Sequence, residues 1–252
     1  MRSFFSFLAA LFTCTFLHAG RDLPLDRFHV CTVATFEHGN LTKLRQSCRL
    51  HGMELKVLAM GAPYYGHGTK LVHMLAYLNT LQDDEIVMFV DGFDVLVVAD
   101  KEVILRKFLD MNIPFLMAAE KTAYPADVQH LYPPSPTPFR YINTGTYIGY
   151  VGIIKEWILA LQPDPSYCDQ HQAVYHYFSA EENRRFYHLD YYCHLFLPLH
   201  GVKESEVEID IKKSSVFCFT TQSYPSVLHA NAWAMTIWEK AYNQLIKPRL
   251  NF

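Results

Sequence analysis

The stretch Glu85–Asp100, EIVMFVDGFDVLVVAD, limits what this chain can fold into more than any other. Ile86 to Val90 is an unbroken apolar run, the mark of a strand buried on both faces of a mainly parallel sheet. The run halts at Asp91-Gly92-Phe93-Asp94 and resumes as Val95 to Val98. A core strand that ends in carboxylates carries negative charge to the carboxyl edge of the sheet, where open α/β folds bind ligands. Carboxylates on either side of a glycine-made bend can face one hard cation. Capping a solvated turn is the plainer role for a D-x-x-D. The apolar residues on both sides of the bend argue for the metal site.

The N-terminus reads differently. Arg2 supplies a positive start, Phe4 to Phe12 is apolar, and Ala19 offers a small residue for cleavage. Residues 1–19 are therefore expected to be a signal peptide, with an uncleaved anchor as the alternative. The mature chain is expected in the secretory pathway or exported (secreted, periplasmic or lumenal), and no later run has the length of a membrane span. Residues 20–252 are expected to form one domain. Half the residues are hydrophobic, enough for a sizeable core, and a net charge of −3 without a Lys/Arg run argues against nucleic acid as the main partner. Apart from Cys14, the cysteines are Cys31, Cys48, Cys168, Cys193 and Cys218, with no C-x-x-C pair for zinc. Their odd number leaves at least one free thiol and allows a disulfide.

Phe28 to Phe36 reads as the first buried strand, Leu41 to His51 as a helix stopped by Gly52, and Glu54 to Met60 as the second strand. A loop rich in Gly, Pro and Tyr precedes a helix at Thr69–Leu81, where Leu71, Met74, Leu75 and Leu78 recur at helical spacing. With the central strand this gives β-α-β-α-β, hence right-handed crossovers and helices on both faces of a parallel sheet. A helix at Lys101–Asp110 and a strand at Pro114–Glu120 follow, then a proline-rich surface loop at Tyr124–Pro138. In the next strand, Tyr141–Val151, Gly145 signals a bulge or a close approach of backbone to ligand. Helices are expected at Ile153–Leu161 and Asp169–Phe178, and short strands near Phe186–Leu189, His194–Leu199 and Val207–Ile211. Ser215–Thr220 leads to the tail, where Val227–Asn231 precedes a last helix, Trp233–Ile246.

Five of these stretches, in this order, carry a resemblance: CTVAT (Cys31–Thr35), GHGTK (Gly66–Lys70), VMFVDGFDVLV (Val87–Val97), YINTGTYIGY (Tyr141–Tyr150) and LHAN (Leu228–Asn231). Together they resemble the glycosyltransferase domain of the multifunctional procollagen lysyl hydroxylase/glycosyltransferases, near collinear from Phe28 to Asn231. The resemblance implies an α/β GT-A fold, a divalent cation, usually Mn²⁺, and a UDP-sugar donor. It implies transfer of a hexose, glucose or galactose, to a hydroxyl of a protein or glycan acceptor. Asp91, Asp94 and His229 take the places of the metal ligands. Lys70 is placed at the diphosphate, and Thr32, Val33 and Thr35 beside uracil and ribose. Phe93 stands where the family has a base-stacking tyrosine, and it brings a ring without the hydroxyl. Asn143, Asp169 and Glu120 take the catalytic positions, with Gly145, Gln170 and Asn231 lining the donor.

Three departures mark this chain. The family's acidic run before the glutamine is Ser166-Tyr167-Cys168-Asp169 here, and Tyr124 is the nearest counterpart of its acceptor-side tryptophans. Its H-G-N-G has become His229-Ala230-Asn231-Ala232, without the glycines that let backbone approach a phosphate. The alternatives to a transferase are an inactive nucleotide-sugar-binding protein and, less well supported, a metal-dependent phosphoesterase. The latter lacks the extra ligands of a two-metal site.

Overall fold

A computed structural model describes residues 23–251, so the expected signal peptide lies outside the described residues. Alternation along the strands sorts the chain into two apolar layers on opposite faces of one sheet. From β1 (Phe28–Val33) and β3 (Ile86–Val90), Cys31, Val33, Val87 and Phe89 pack on one face, and Val30, Ile86, Met88 and Val90 on the other. The first face is covered by α2 (Thr69–Leu78), α4 (Val151–Leu161) and α5 (Asp169–Ser179), through Met74, Trp157 and Val174 among others. The second is covered by α1 (Gly39–Leu50) and α3 (Lys101–Asp110), through Leu44, Cys48, Ile104 and Phe108.

The sheet has six strands in the order β2-β1-β3-β6-β5-β7, adding β2 (Leu55–Leu58), β5 (Phe115–Glu120), β6 (Tyr141–Tyr150) and β7 (Leu189–Asp190). β1 runs parallel to β2 and β3, and β5 parallel to β7, while β6 runs antiparallel between β3 and β5. This is the mainly parallel sheet with helices on both faces that the sequence leads one to expect. A second sheet of β4 (Val95–Val97), β11 (Val227–His229) and β8 (Phe196–Pro198) sits at its carboxyl edge. α6 (Met235–Ala241) and the hairpin of β9 (Val207–Asp210) and β10 (Ser215–Cys218) pack with that sheet in a third core containing Leu228, Val216 and Trp238.

Several local expectations change. The expected strand at Phe186–Leu189 is the end of a 3₁₀ turn, Glu181–Phe186, followed by the two-residue β7. Phe186 and Tyr187 are buried beside α5, so core contact and not pairing explains their apolarity. The Tyr124–Pro138 loop holds a 3₁₀ turn, Ala126–Leu131, and buries Val128 and Tyr132. The last helix begins at Met235, because Ala232 and Trp233 have left-handed backbone, and continues as a π turn over Tyr242–Ile246. The five described cysteines are free thiols, so the allowed disulfide does not form among them. Burial pushes the Cys48 thiol up to about 12, where it is inert at neutral pH. Among the described residues no helix is long and apolar enough to cross a membrane.

Candidate active site

Strand register builds the site. β3 leaves the sheet after the buried Val90, and the Asp91 N–H donates to the Gly145 carbonyl at 2.8 Å. The chain turns at Gly92 and re-enters as β4, whose Val95 lies opposite His229 of β11. The Ala230 N–H donates to the Asp94 carbonyl at 2.7 Å and closes the turn. Two carboxylates and one imidazole, far apart in sequence, therefore meet: one ligand atom from each of Asp91, Asp94 and His229 lies within 4.8 Å of the others. His229 Nε2 is 3.3 Å from Asp94 Oδ2 and 3.7 Å from Asp91 Oδ2.

The second nitrogen of the ring fixes its orientation. His229 Nδ1 is 3.1 Å from Asn143 Oδ1, which also accepts the Gly145 N–H, so the proton is assigned to Nδ1 and Nε2 faces the carboxylates. Burial opposes a charged ring, yet Asp94, Asp91 and Glu120 outweigh it and hold His229 above the ordinary histidine range. Burial raises the Asp91 carboxyl against the pull of Lys70 and His229, with Asp94 adding to the rise. Against the same cost of burial, the His229 charge and hydrogen bond hold Asp94 below its ordinary value. These residues fit a small divalent cation. A Cβ on Gly145 would lie 2.1 Å from His229 Cε1 and 2.7 Å from Asp91 Oδ2, so the space in front of the ligands exists because residue 145 has no side chain.

The cluster opens on a cavity of about 650 Å³, within the range of small-molecule sites. Val33, Thr35, Phe36 and Phe93 line one part of it. The Phe36 and Phe93 rings lie 4.9 Å apart at 31°, and the Asn40 amide donates to the Phe93 carbonyl at 2.8 Å. Thr32 is fully buried behind Gly92 and does not reach the lining. Lys70 is no solvated helix lysine: its Nζ is 2.9 Å from Asp91 Oδ1 and 2.8 Å from Asp169 Oδ2. Asp169, the first residue of α5, also accepts the Thr144 hydroxyl at 3.0 Å. The glycines of GHGTK are packing glycines. A Cβ on Gly68 would lie 1.9 Å from the Asp164 carbonyl oxygen, so α2 docks against the loop before α5 only without one. That docking brings Lys70 to Asp169.

Glu120, at the end of β5, accepts from Asn143 Nδ2 at 3.2 Å, Gln170 Nε2 at 2.8 Å and Asn231 Nδ2 at 2.6 Å. Burial nevertheless pushes its carboxyl up to about 7. Glu120, Asn143, Gln170 and Asn231 thus form one hydrogen-bonded floor that reaches His229 through Asn143.

Residues 25–246 match the model of the family described as the PLOD GT domain. The chain belongs to the PLOD GT domain family. It is similar to human procollagen-lysine,2-oxoglutarate 5-dioxygenase 2, with 31% identity over 153 residues, covering 55% of this chain and 21% of that protein. The procollagen-lysine,2-oxoglutarate 5-dioxygenase of Drosophila melanogaster is 26% identical over 226 residues, 82% of this chain and 30% of that protein. The chain spans less than half the length of the curated relatives it matches. A solved glycosyltransferase involved in the glycosylation of the major capsid of PBCV-1 superimposes with a TM-score of 0.47 at 12% identity, covering 86% of this chain and 98% of that one.

As a PLOD GT domain, the chain is a glycosyltransferase by family. The structure accommodates one of the two lost glycines. Ala230 has φ −79 and needs no glycine, whereas Ala232 has φ 52 and takes a conformation that glycine adopts without strain. Sequence reasoning did not find Phe36, Thr144, His200 or Trp233. Phe36 and Trp233 read as ordinary apolar residues, and nothing in their spacing shows that they line a cavity.

Proposed function

We propose that the chain transfers a hexose, glucose or galactose, from a UDP-sugar to a hydroxyl of a protein or glycan acceptor. In this reading a divalent cation, preferentially Mn²⁺, is held by Asp91, Asp94 and His229. One observation carries it: a two-carboxylate, one-imidazole cluster opens on a cavity whose other wall is an aromatic pair. That donor set suits Mn²⁺. When bound, the cation would supply positive charge to the diphosphate as it leaves. Lys70 adds a second positive charge beside Asp91, and Asp169 holds it there. Phe93 and Phe36 offer ring faces for the base, with Val33 and Thr35 next to them. Glu120, near 7, is suited to hold or take the acceptor proton at neutral pH, with Asn143 and Gln170 fixing its carboxyl. The signal-like N-terminus supports a place in the secretory pathway or outside the cell.

The test is a donor screen. UDP release from UDP-glucose and UDP-galactose is measured with and without peptide and glycan acceptors, with Mn²⁺, with chelator, and in Asp94→Asn. Turnover with Mn²⁺ that is lost in the other two conditions is the expected outcome. UDP binding without release in the presence of any acceptor would favour the second reading, a nucleotide-sugar-binding protein, which the left-handed alanine at position 232 supports. No binding of any UDP-sugar would remove both.

A further inference from the structure

Among the described cysteines, three stand apart and two stand together. Cys31 lies in the core under α2, α4 and α5, Cys48 in the core under α1 and α3, and Cys168 lines the cavity. Cys193 and Cys218, both wholly buried, share the third core. Backbone pairing turns them toward each other. The Cys218 N–H donates to the Ser223 carbonyl at 2.9 Å, and the Ser223 N–H donates back at 3.3 Å, an antiparallel bridge. Residues directly opposed across such a bridge send their side chains to the same face. Ser223 Oγ donates to the Cys193 carbonyl at 3.1 Å, so the face that carries the Cys218 thiol is the one against Cys193. The Thr221 hydroxyl, 2.8 Å from Ser223 Oγ, also hydrogen-bonds the Cys193 side chain. Charge on Cys218 would push the Cys193 thiol further up, as expected of two sulfurs in one pocket.

The backbone on the Cys193 side is held in place. Cys193 has φ 50, a left-handed conformation that few residues with a side chain adopt. Asp190 imposes it. The Asp190 carbonyl accepts the Cys193 N–H at 3.1 Å, and its buried carboxylate accepts the N–H groups of His194, Leu195 and Phe196. Lys107 Nζ then ties this segment to the one before β11, 3.0 Å from both the His194 carbonyl and Ser226 Oγ. A disulfide has narrow geometric limits, and two fixed backbones facing one pocket suit them.

Both residues are thiols here, so the structure is the reduced form of the pair. We propose that Cys193 and Cys218 are a disulfide pair that closes as the chain folds in an oxidising compartment. This rests on the exported location read from the N-terminus. One cysteine thiolate attacks the disulfide of a small oxidant such as oxidised glutathione, forming a mixed disulfide and releasing one of the oxidant's thiols. The second cysteine displaces the other. The pair thereby loses two electrons and two protons, and the oxidant's disulfide becomes two thiols. The bond would close the chain around β8, β9 and β10, and would tie the return into β11, the strand of His229, to the passage between the two sheets. Burial keeps the Cys193 thiol protonated once the core is packed, so closure belongs to folding and the finished bond is sealed from reductant.

The full chain is unfolded in urea with reductant, then refolded either in reduced glutathione alone or in a mixture of reduced and oxidised glutathione. Each preparation is alkylated and digested with trypsin. Cleavage after Lys203 and Lys213 places the two cysteines in separate peptides, Phe186–Lys203 and Ser214–Lys240. Oxidative refolding should leave these peptides joined, at the sum of their masses less two hydrogens, and reductant should split them. Cys31, Cys48 and Cys168 should carry the alkylating group. The linked protein should melt about 5–10 °C above the reduced one, and Cys193→Ala and Cys218→Ala should each lose that difference. Free thiols at both positions after oxidative refolding, bonds to other cysteines, or equal melting of the two wild-type preparations would overturn the proposal. If the pair links in glutathione but protein alkylated inside its own cells carries both thiols, the pairing stands and the exported location falls.

Discussion

Gly145 shows how one missing Cβ makes room for a site. Its neighbours are the imidazole of His229 and the carboxylate of Asp91, at distances no Cβ contact tolerates. Gly145→Ala is therefore expected to displace His229 and weaken Mn²⁺ affinity tenfold or more in calorimetry, at an overpacking cost of about 1–3 kcal/mol in stability. Unchanged affinity would mean that the ring is not a ligand. Glu120 carries a second residue-scale expectation. Its carboxyl is raised to about 7 by burial, from roughly 4.3 in the unfolded chain, so the folded state binds the proton more tightly. A raised group contributes stability that is complete below about pH 4.3 and lost as pH rises through about 7, on the order of 3 kcal/mol. Urea unfolding of wild type and Glu120→Gln across that window should show the variant gaining relative to wild type as pH rises. Parallel curves would count against the raised carboxyl. The lost acceptor sets the offset between the two proteins, and the proton sets the slope.

At the scale of elements, the runs that packing alone dictates were legible and those set by tertiary context were not. The strand Ile86–Val90 and the helix Lys101–Asp110 have the bounds their apolar patterns suggest. The direction of β6 does not follow from its pattern, because a strand buried on both faces reads the same either way. Only its neighbours β3 and β5 reveal it as antiparallel. Gly145 hinted at a bulge, and the pairing with β5 does slip there, from Met117↔Tyr147 to Ala118↔Asn143. Motif order points to residues that the structure gathers around one cavity, Thr32 excepted, while Trp233 reads as the start of a helix that its own left-handed backbone forbids. The β9–β10 hairpin is tied back to β5 by Lys121 Nζ and Glu206 Oε1 at 2.6 Å. Against the cost of burial, Lys121, the Lys203 N–H and the Thr220 hydroxyl hold the Glu206 carboxyl down to about 2. A depressed carboxylate contributes stability that is present above about pH 4.3 and lost as pH falls toward 2. Glu206→Gln should therefore be less stable than wild type at pH 7 and converge with it near pH 2 in thermal melts. A constant gap would assign the loss to geometry and not to charge.

For the whole molecule, the Asp91–Asp94–His229 cluster is a junction between two sheets. Asp91 ends β3 of the large sheet, Asp94 begins the passage into the small one, and His229 closes β11 within it. Without a cation, the Asp91 and Asp94 carboxylates repel each other, and Lys70 and the His229 ring offset that repulsion. A cation that binds all three ligands binds the folded chain alone, because unfolding separates residues that meet only through strand register. At a hundred times its dissociation constant it would stabilise the fold by about 2.7 kcal/mol. For a chain of this size that corresponds to a rise in Tm of roughly 5–10 °C, since each kcal/mol moves the midpoint by about 2–4 °C. Differential scanning with Mn²⁺ and with chelator should show this rise in wild type and lose most of it in Asp94→Asn and in His229→Ala. The second variant decides the matter. Asp91 and Asp94 lie on one turn and could hold a cation by themselves, whereas His229 is the ligand that β11 contributes. If His229→Ala keeps the full rise, the cation sits on the Asp91–Asp94 turn alone and the two sheets are joined only by their backbone pairing and shared core.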